Sequence, residues 1–187
     1  DAYVEVIYSP PKENPNLDEG HHTVLDIEDP VQQQELDNLW QRMKPDFAEG
    51  IIGMRHWQYM KYRYFDHPFG IGGQYQCLVL RQGDAHEAWA IAVLKRDNDR
   101  HLLMDLICPL SSIKRAITQL NQIVAEDGDV AGLKMWITKS WLSSVELEGA
   151  IVNELGIEIP CNSWNPGPSS ETLYGAWWLT AGDMDFI

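Results

Sequence analysis

The chain has 187 residues, 44% hydrophobic and 22% charged, the profile of a globular domain long enough to bury a core. Acidic side chains outnumber basic ones 28 to 14, a formal net charge of −14 that argues against nucleic acid or an anionic membrane surface as partner. Cys77, Cys108 and Cys161 are scattered, without a C-x-x-C, and read as reduced thiols of a cytoplasmic protein.

No apolar run approaches the roughly 20 residues that span a bilayer. The start at Asp1 rather than Met is expected of a piece of a longer protein. Tyr3 to Tyr8 alternates with period two and predicts a short strand. Lys12 to His22 carries Pro15, Gly20 and several charges, and reads as a linker. Residues 1–22 are therefore an N-terminal strand and linker, with the strand read as the edge of a preceding domain, and 23–187 form the main domain. His21 and His22 beside Asp18 and Glu19 lack the spacing of a metal site, so no metal is expected.

Thr23 to Ile27 is a weak strand. Asp29 and Pro30 make a helix start, an N-cap followed by proline at the first helical position. Leu36, Leu39, Trp40 and Met43 then follow at helical spacing, and Pro45 ends the run. A second helix is predicted over Arg55 to Phe65, stopped by His67-Pro68. Its Trp57, Tyr62, Arg63 and Tyr64, with His67, either wall a substrate cleft or serve packing.

Three apolar runs, Gln76 to Arg81, Trp89 to Lys95 and Leu102 to Cys108, are separated by polar turns and predict an antiparallel meander. Asp105 stands alone among the apolar residues of the last run. It reads as a catalytic base, as a group on an exposed pleat, or as the partner of a Lys or Arg. Pro109 breaks the strand, and Ser111-Ser112 precede a helix with Ile113, Ala116, Ile117, Leu120 and Val124 on one face. Leu133 to Thr138 predicts a strand. A third amphipathic helix is predicted from Ser140 to Leu155, stopped by Gly156. Strands at Ile157 to Pro160 and Ala176 to Thr180 complete an α+β pattern.

This order of elements resembles the GNAT (Gcn5-related N-acetyltransferase) fold, a mixed, mostly antiparallel sheet flanked by helices. Two local motifs extend the resemblance. Met60 to Pro68 (M-K-Y-R-Y-F-D-H-P) is similar to the W-R-Y-x-x-H-P helix end of bacterial GNAT-like and Fem-type acyltransferase domains, with Tyr62 in place of the Trp. Trp178 to Asp185 (W-L-T-A-G-D-M-D) resembles their W-x-x-T-G-G-D-x-D close. Domains of this kind often form one half of a tandem pair.

The resemblance implies an acyl-CoA-dependent N-acyltransferase-like domain, with acetyl-CoA or another acyl-CoA between the strand ending at Cys108 and the strand Leu133 to Thr138. Leu106, Ile107 and Cys108 would line the thioester and pantetheine. Ser111 and Ser112, at the start of the next helix, would meet the pyrophosphate with Lys114 and Arg115. Asp105 would be the base for a small-molecule or peptide amine. Trp57, Tyr62, Arg63, Tyr64 and His67 would line the acceptor side. The chain departs from the pattern in two places. Cys108 to Lys114 has no glycine, and Pro109 removes an N–H. The Tyr that protonates the thiolate in many members has no match between Ser140 and Ile151, where only Ser143 and Ser144 could stand in. The alternative is a non-catalytic GNAT-like half that supplies a structural or ligand-binding wall to a partner domain.

Overall fold

The computed structural model describes residues 1–9, 20–66, 74–83, 87–126, 130–160 and 166–184. Its strands are β1 (Ala2–Ile7), β2 (Gly20–Val24), β3 (Ile51–Ile52), β4 (Tyr75–Gln82), β5 (Ala88–Asp97), β6 (Arg100–Ile107), β7 (Leu133–Thr138), β8 (Ile151–Glu158) and β9 (Trp177–Trp178). Seven of them form one sheet in the order β2-β4-β5-β6-β7-β1-β8, and β3 and β9 form a parallel two-stranded ribbon. Within the large sheet only β6 and β7 run parallel. The expected mostly antiparallel α+β architecture is therefore present.

Helix α1 (Pro30–Met43) starts as its sequence predicts, with the Asp29 carboxylate accepting from the Val31 N–H at 2.9 Å. Leu36, Leu39, Trp40 and Met43 are its buried face, and full burial of such a side chain contributes about 1.5–3 kcal/mol. The next predicted helix is shorter and irregular: α2 (Trp57–Met60) passes into a π-helical turn at Lys61–Phe65. Helix α3 (Ile113–Glu126) buries Ile113, Ala116, Ile117, Leu120 and Val124, as its spacing requires. Its Asn121 is also buried, donating to the Ser9 carbonyl at 2.7 Å and accepting from the Leu133 N–H. That side chain fastens the end of β1 to the start of β7.

The structure corrects three local expectations. The N-terminal strand, expected at the edge of a preceding domain, lies inside the large sheet: β1 pairs with β7 on one side and β8 on the other. His21 and His22 belong to an edge strand, β2, rather than to a linker. The helix expected from Ser140 to Leu155 is a short helix, α4 (Leu142–Val145), followed by strand β8. Gly149 (φ 78°) takes a left-handed conformation that a continuous helix does not permit. A fifth short helix, α5 (Ser170–Leu173), precedes β9. Cys161 lies outside the described residues.

Tyr8, buried at the end of β1, donates its hydroxyl to the Val145 carbonyl at 3.0 Å and so docks α4. Tyr8→Phe leaves that carbonyl without its partner. It is expected to lower stability by about 1 kcal/mol, read as a fall of about 2–4 °C in Tm by calorimetry. The thiols of Cys77 and Cys108 are buried, and burial pushes Cys77 up to about 12, with the Asp105 charge adding to the effect. Both are expected to resist alkylation until the chain unfolds, checked by mass spectrometry of their peptides.

Candidate functional site

Strands β6 and β7 are paired only over His101–Leu103 and Leu133–Met135, although β6 runs on to Ile107 and β7 to Thr138. A bulge marks the place where they part. Val93 opposes Asp105 and Leu94 opposes Leu103, so Met104 is the extra residue, and such an insertion bends its strand. Beyond it the two parallel strands splay.

The chain itself fills the splay. On the β7 side Thr180 bridges to Ile137, and the Thr138 N–H donates to the Leu179 carbonyl at 3.3 Å. A single 3-10 turn, Ala181–Asp183, follows, capped by Thr180 and Asp183 acting on each other's backbone. On the β6 side Gly182 lies so close that a Cβ would stand 2.7 Å from the Met104 carbonyl and 3.3 Å from Asp105 Oδ2, while also striking the Tyr64 hydroxyl. Only glycine fits there.

A buried ion network holds this segment. Arg55, fully buried just before α2, donates Nε–H to Asp105 Oδ1 at 2.8 Å and a terminal N–H group to both oxygens of Asp183 at 2.8 Å. Tyr64 donates its hydroxyl to the other Asp105 oxygen at 2.9 Å. Arg63 reaches the Gly182 carbonyl through Nε at 3.0 Å and the Met184 carbonyl through a terminal nitrogen. The π-helical turn, closed by the Asp66 N–H on the Lys61 carbonyl, presents the consecutive residues Arg63 and Tyr64 to one network. Burial lowers the Arg55 pKa, but Asp105 and Asp183 outweigh it and the net shift is upward. Burial likewise raises Asp105, with the Arg55 guanidinium opposing the rise. Burial and then the Asp105 charge hold Tyr64 well above the ordinary phenol value.

Asp105 is therefore placed differently from a solvent-facing base. It is 1% exposed, and both carboxylate oxygens accept hydrogen bonds from Arg55 and Tyr64. The partner is neither Lys nor Arg of a neighbouring strand but Arg55, fifty positions earlier. Of the acceptor-side residues, Tyr64 is buried and Arg63 half-buried in the network, whereas Tyr62 points outward at 62% exposure. Trp57 is half-buried, its N–H bonded to Asp37 at 2.8 Å. His67 lies outside the described residues.

At the mouth of the splay, Leu106, Ile107 and Cys108 are buried. The Leu110 N–H donates to Asp46 Oδ2 at 2.7 Å, the Ser112 N–H to the Pro109 carbonyl, and the Ile113 N–H to the Leu110 carbonyl. Asp46 comes from a 3-10 turn, Lys44–Phe47, after α1. Its neighbour Phe47 packs on Trp141 and Trp178, with ring centroids 5.1 and 5.2 Å away. Ser111, Lys114 and Arg115 are exposed and Ser112 half-buried, with the Arg115 guanidinium 4.7 Å over the Trp89 ring. Ser143 is exposed and Ser144 half-buried on α4, past the end of β7. An acyl-CoA does not fit this arrangement. Pro109 has no N–H, three donors of the turn are engaged, and backbone fills the gap where a pantetheine would run.

Sequence reasoning did not single out Arg55 or Asp46, and it gave Gly182 and Asp183 only as members of the closing motif, without a role. The usable signal was the lone acid in an apolar strand, since a buried carboxylate demands a cation. Among the described residues no group of three or more His, Cys, Asp or Glu could hold a metal ion. No described helix is long and apolar enough to cross a membrane.

Removing one member of this network leaves a charge buried and unpaired. Arg55→Ala is expected to lower stability by roughly 3–5 kcal/mol, and Arg55→Ala with Asp105→Asn by less than the sum of the single losses, measured by urea unfolding. Gly182→Ala forces a Cβ into backbone and is expected to destabilise by more than about 2 kcal/mol in the same assay.

No protein-family model matches the chain, and no curated protein matches it. Among solved structures, the ribosomal-protein-S18-alanine N-acetyltransferase from Escherichia coli is similar at 12% identity and a TM-score of 0.36, over 58% of this chain and 56% of that one. A conserved protein of unknown function from Enterococcus faecalis V583, titled a probable N-acyltransferase, is similar at 10% identity and a TM-score of 0.54, over 83% of this chain and 38% of that one. The chain thus spans less than two thirds of the length of either neighbour. At 10% identity and a TM-score of 0.54 the likeness to the Enterococcus protein is one of fold, and the mostly antiparallel α+β fold is GNAT-like.

Proposed function

We propose that this chain is a non-catalytic GNAT-like domain that supplies a structural or ligand-binding wall to a partner domain in a larger acyltransferase. The observation that carries this reading is the sealed splay. Thr180–Asp183 fill the gap between β6 and β7, and Asp46 takes the Leu110 N–H at its mouth. The length of the Enterococcus protein, of which the chain covers 38%, suits a domain that works beside another of tandem or Fem type. The buried thiols suit a reducing, cytoplasmic setting.

A second reading, an N-acyltransferase in its own right that joins an acyl group to a small-molecule or peptide amine, is favoured by the splay and its bulge at Met104. In that reading Asp105 is the base, Ser143 or Ser144 the acid, and Trp57, Tyr62, Arg63, Tyr64 and His67 line the acceptor. Asp105 would first have to leave Arg55 and Tyr64.

Calorimetric titration of acetyl-CoA into the chain separates the two. The expected result is no heat and no thermal shift at millimolar ligand; clear binding would overturn the non-catalytic reading. Should transfer be detected, Asp105→Asn tests the base, and a rate unchanged by that substitution excludes it.

A further inference from the structure

We propose that β8 is a docking edge, to which an extended segment of a partner polypeptide adds as a further strand, lodging a lysine or arginine in the cavity at its end against Glu158 and Tyr174. None of these residues belongs to the splay, so the docking edge stands or falls apart from the question of catalysis.

β8 ends the seven-stranded sheet and pairs with β1, so its outer row of N–H and C=O groups has no strand partner among the described residues. Such an edge is a template for another strand, and edges are commonly blunted by shortness, lysine or proline. The opposite edge, β2, has five residues, whereas β8 has eight and carries neither lysine nor proline. Over Ile151–Glu154 its register with β1 is regular, and Ile151 and Val152 are 55% and 37% exposed on opposite faces. Beyond Glu154 the register shifts and Gly156 turns left-handed, which bends the strand and ends the straight edge.

The second half of the site follows that shift. A cavity of about 510 Å³ is lined by Asp1, Ala2, Lys139, Glu158, Ile159 and Tyr174. Two of its side-chain charges are already engaged, Lys139 by Glu154 at 2.6 Å and Asp1 by the Ser140 hydroxyl at 2.7 Å. The exposed Glu158 carboxylate has no hydrogen bond or ion pair among the described residues, and Tyr174 is exposed as well. A free carboxylate and an aromatic ring in one cavity suit an ammonium or guanidinium. Main-chain bonds along the edge hold the segment, and the cavity selects its side chain. A second copy of this chain fits less well. Edge-to-edge pairing gathers Glu154 and Glu158 of both copies on one seam, in chains of formal net charge −14.

The probe is a blocked octapeptide of alternating valine and lysine, titrated into the native chain by calorimetry at ~0.15 M salt. Binding is expected, with hydrogen exchange at the outward amides of Ile151–Glu154 slowed by about tenfold or more. Glu158→Lys with Tyr174→Ala, at two exposed positions, is expected to weaken binding by about tenfold or more. The same peptide N-methylated throughout keeps its charge, loses its amide donors and is expected not to bind. No binding of the unmethylated peptide at millimolar concentration overturns the proposal. Equal binding of the methylated peptide, or no added protection at Ile151–Glu154, leaves only charge attraction and overturns strand addition. Binding unchanged in the double variant overturns the role of the cavity. Sedimentation of the native chain as a dimer that Val152→Lys dissociates gives the edge to a second copy and overturns the partner.

Discussion

A guanidinium with no exposed surface cannot be left unpaired, and Arg55 is such a group. Its Nε–H takes Asp105 from the middle of β6, and a terminal N–H group takes Asp183 from the last described turn. Tyr64 satisfies the Asp105 oxygen that Arg55 does not reach. Three stretches far apart in the chain are thereby held together. Gly182 follows as a requirement, because the approach of Asp183 to Arg55 brings the preceding residue onto the Met104 carbonyl. Such networks do not always add net stability over an apolar core, but each partner fixes the position of the others.

That constraint decides what becomes of the sheet. A bulge and two diverging parallel strands leave room between β6 and β7, and in this chain the room is taken by Thr180–Asp183. The two motifs that resemble one family at sequence level meet at this place. Arg63 and Tyr64 of the first contact Gly182, Met184 and Asp105, and Asp183 of the second is bound by Arg55. Their shared task in this structure is to hold the closing segment. A fold that elsewhere accompanies acyl transfer is a frame for chemistry and not evidence of it. Here the donors and the space that such chemistry uses are engaged by the chain.

The local pattern was legible wherever each element carried its own period. The meander β4 to β6 and the helices α1 and α3 came out close to their expected limits, because the strands are short apolar runs bounded by polar turns and the helices' apolar residues recur every three to four positions, each within one element. Between Ser140 and Leu155 the apolar spacing mimicked a helix, yet Gly149 turns left-handed and β8 forms instead. Most of the β8 side chains are exposed, so no buried face imposes a period of two on Ile151–Glu158. What makes it a strand is pairing with β1 at the other end of the chain. The strand at His21 and His22 was missed for a similar reason, as exposed residues on an edge.

The site divides along the same line. From the sequence alone came the α+β order of elements, the cap and spacing of the helices, and the fact that Asp105 stands alone among the apolar residues of its strand. Those properties are local, set by each residue and its near neighbours. The tertiary structure alone chose Arg55 as the partner of Asp105, across 50 positions, and the Leu110 amide as the partner of Asp46, across 64. A carboxylate's need for a donor can be read from its surroundings. Which donor meets it depends on how separate elements pack, and no periodicity within one element carries that information.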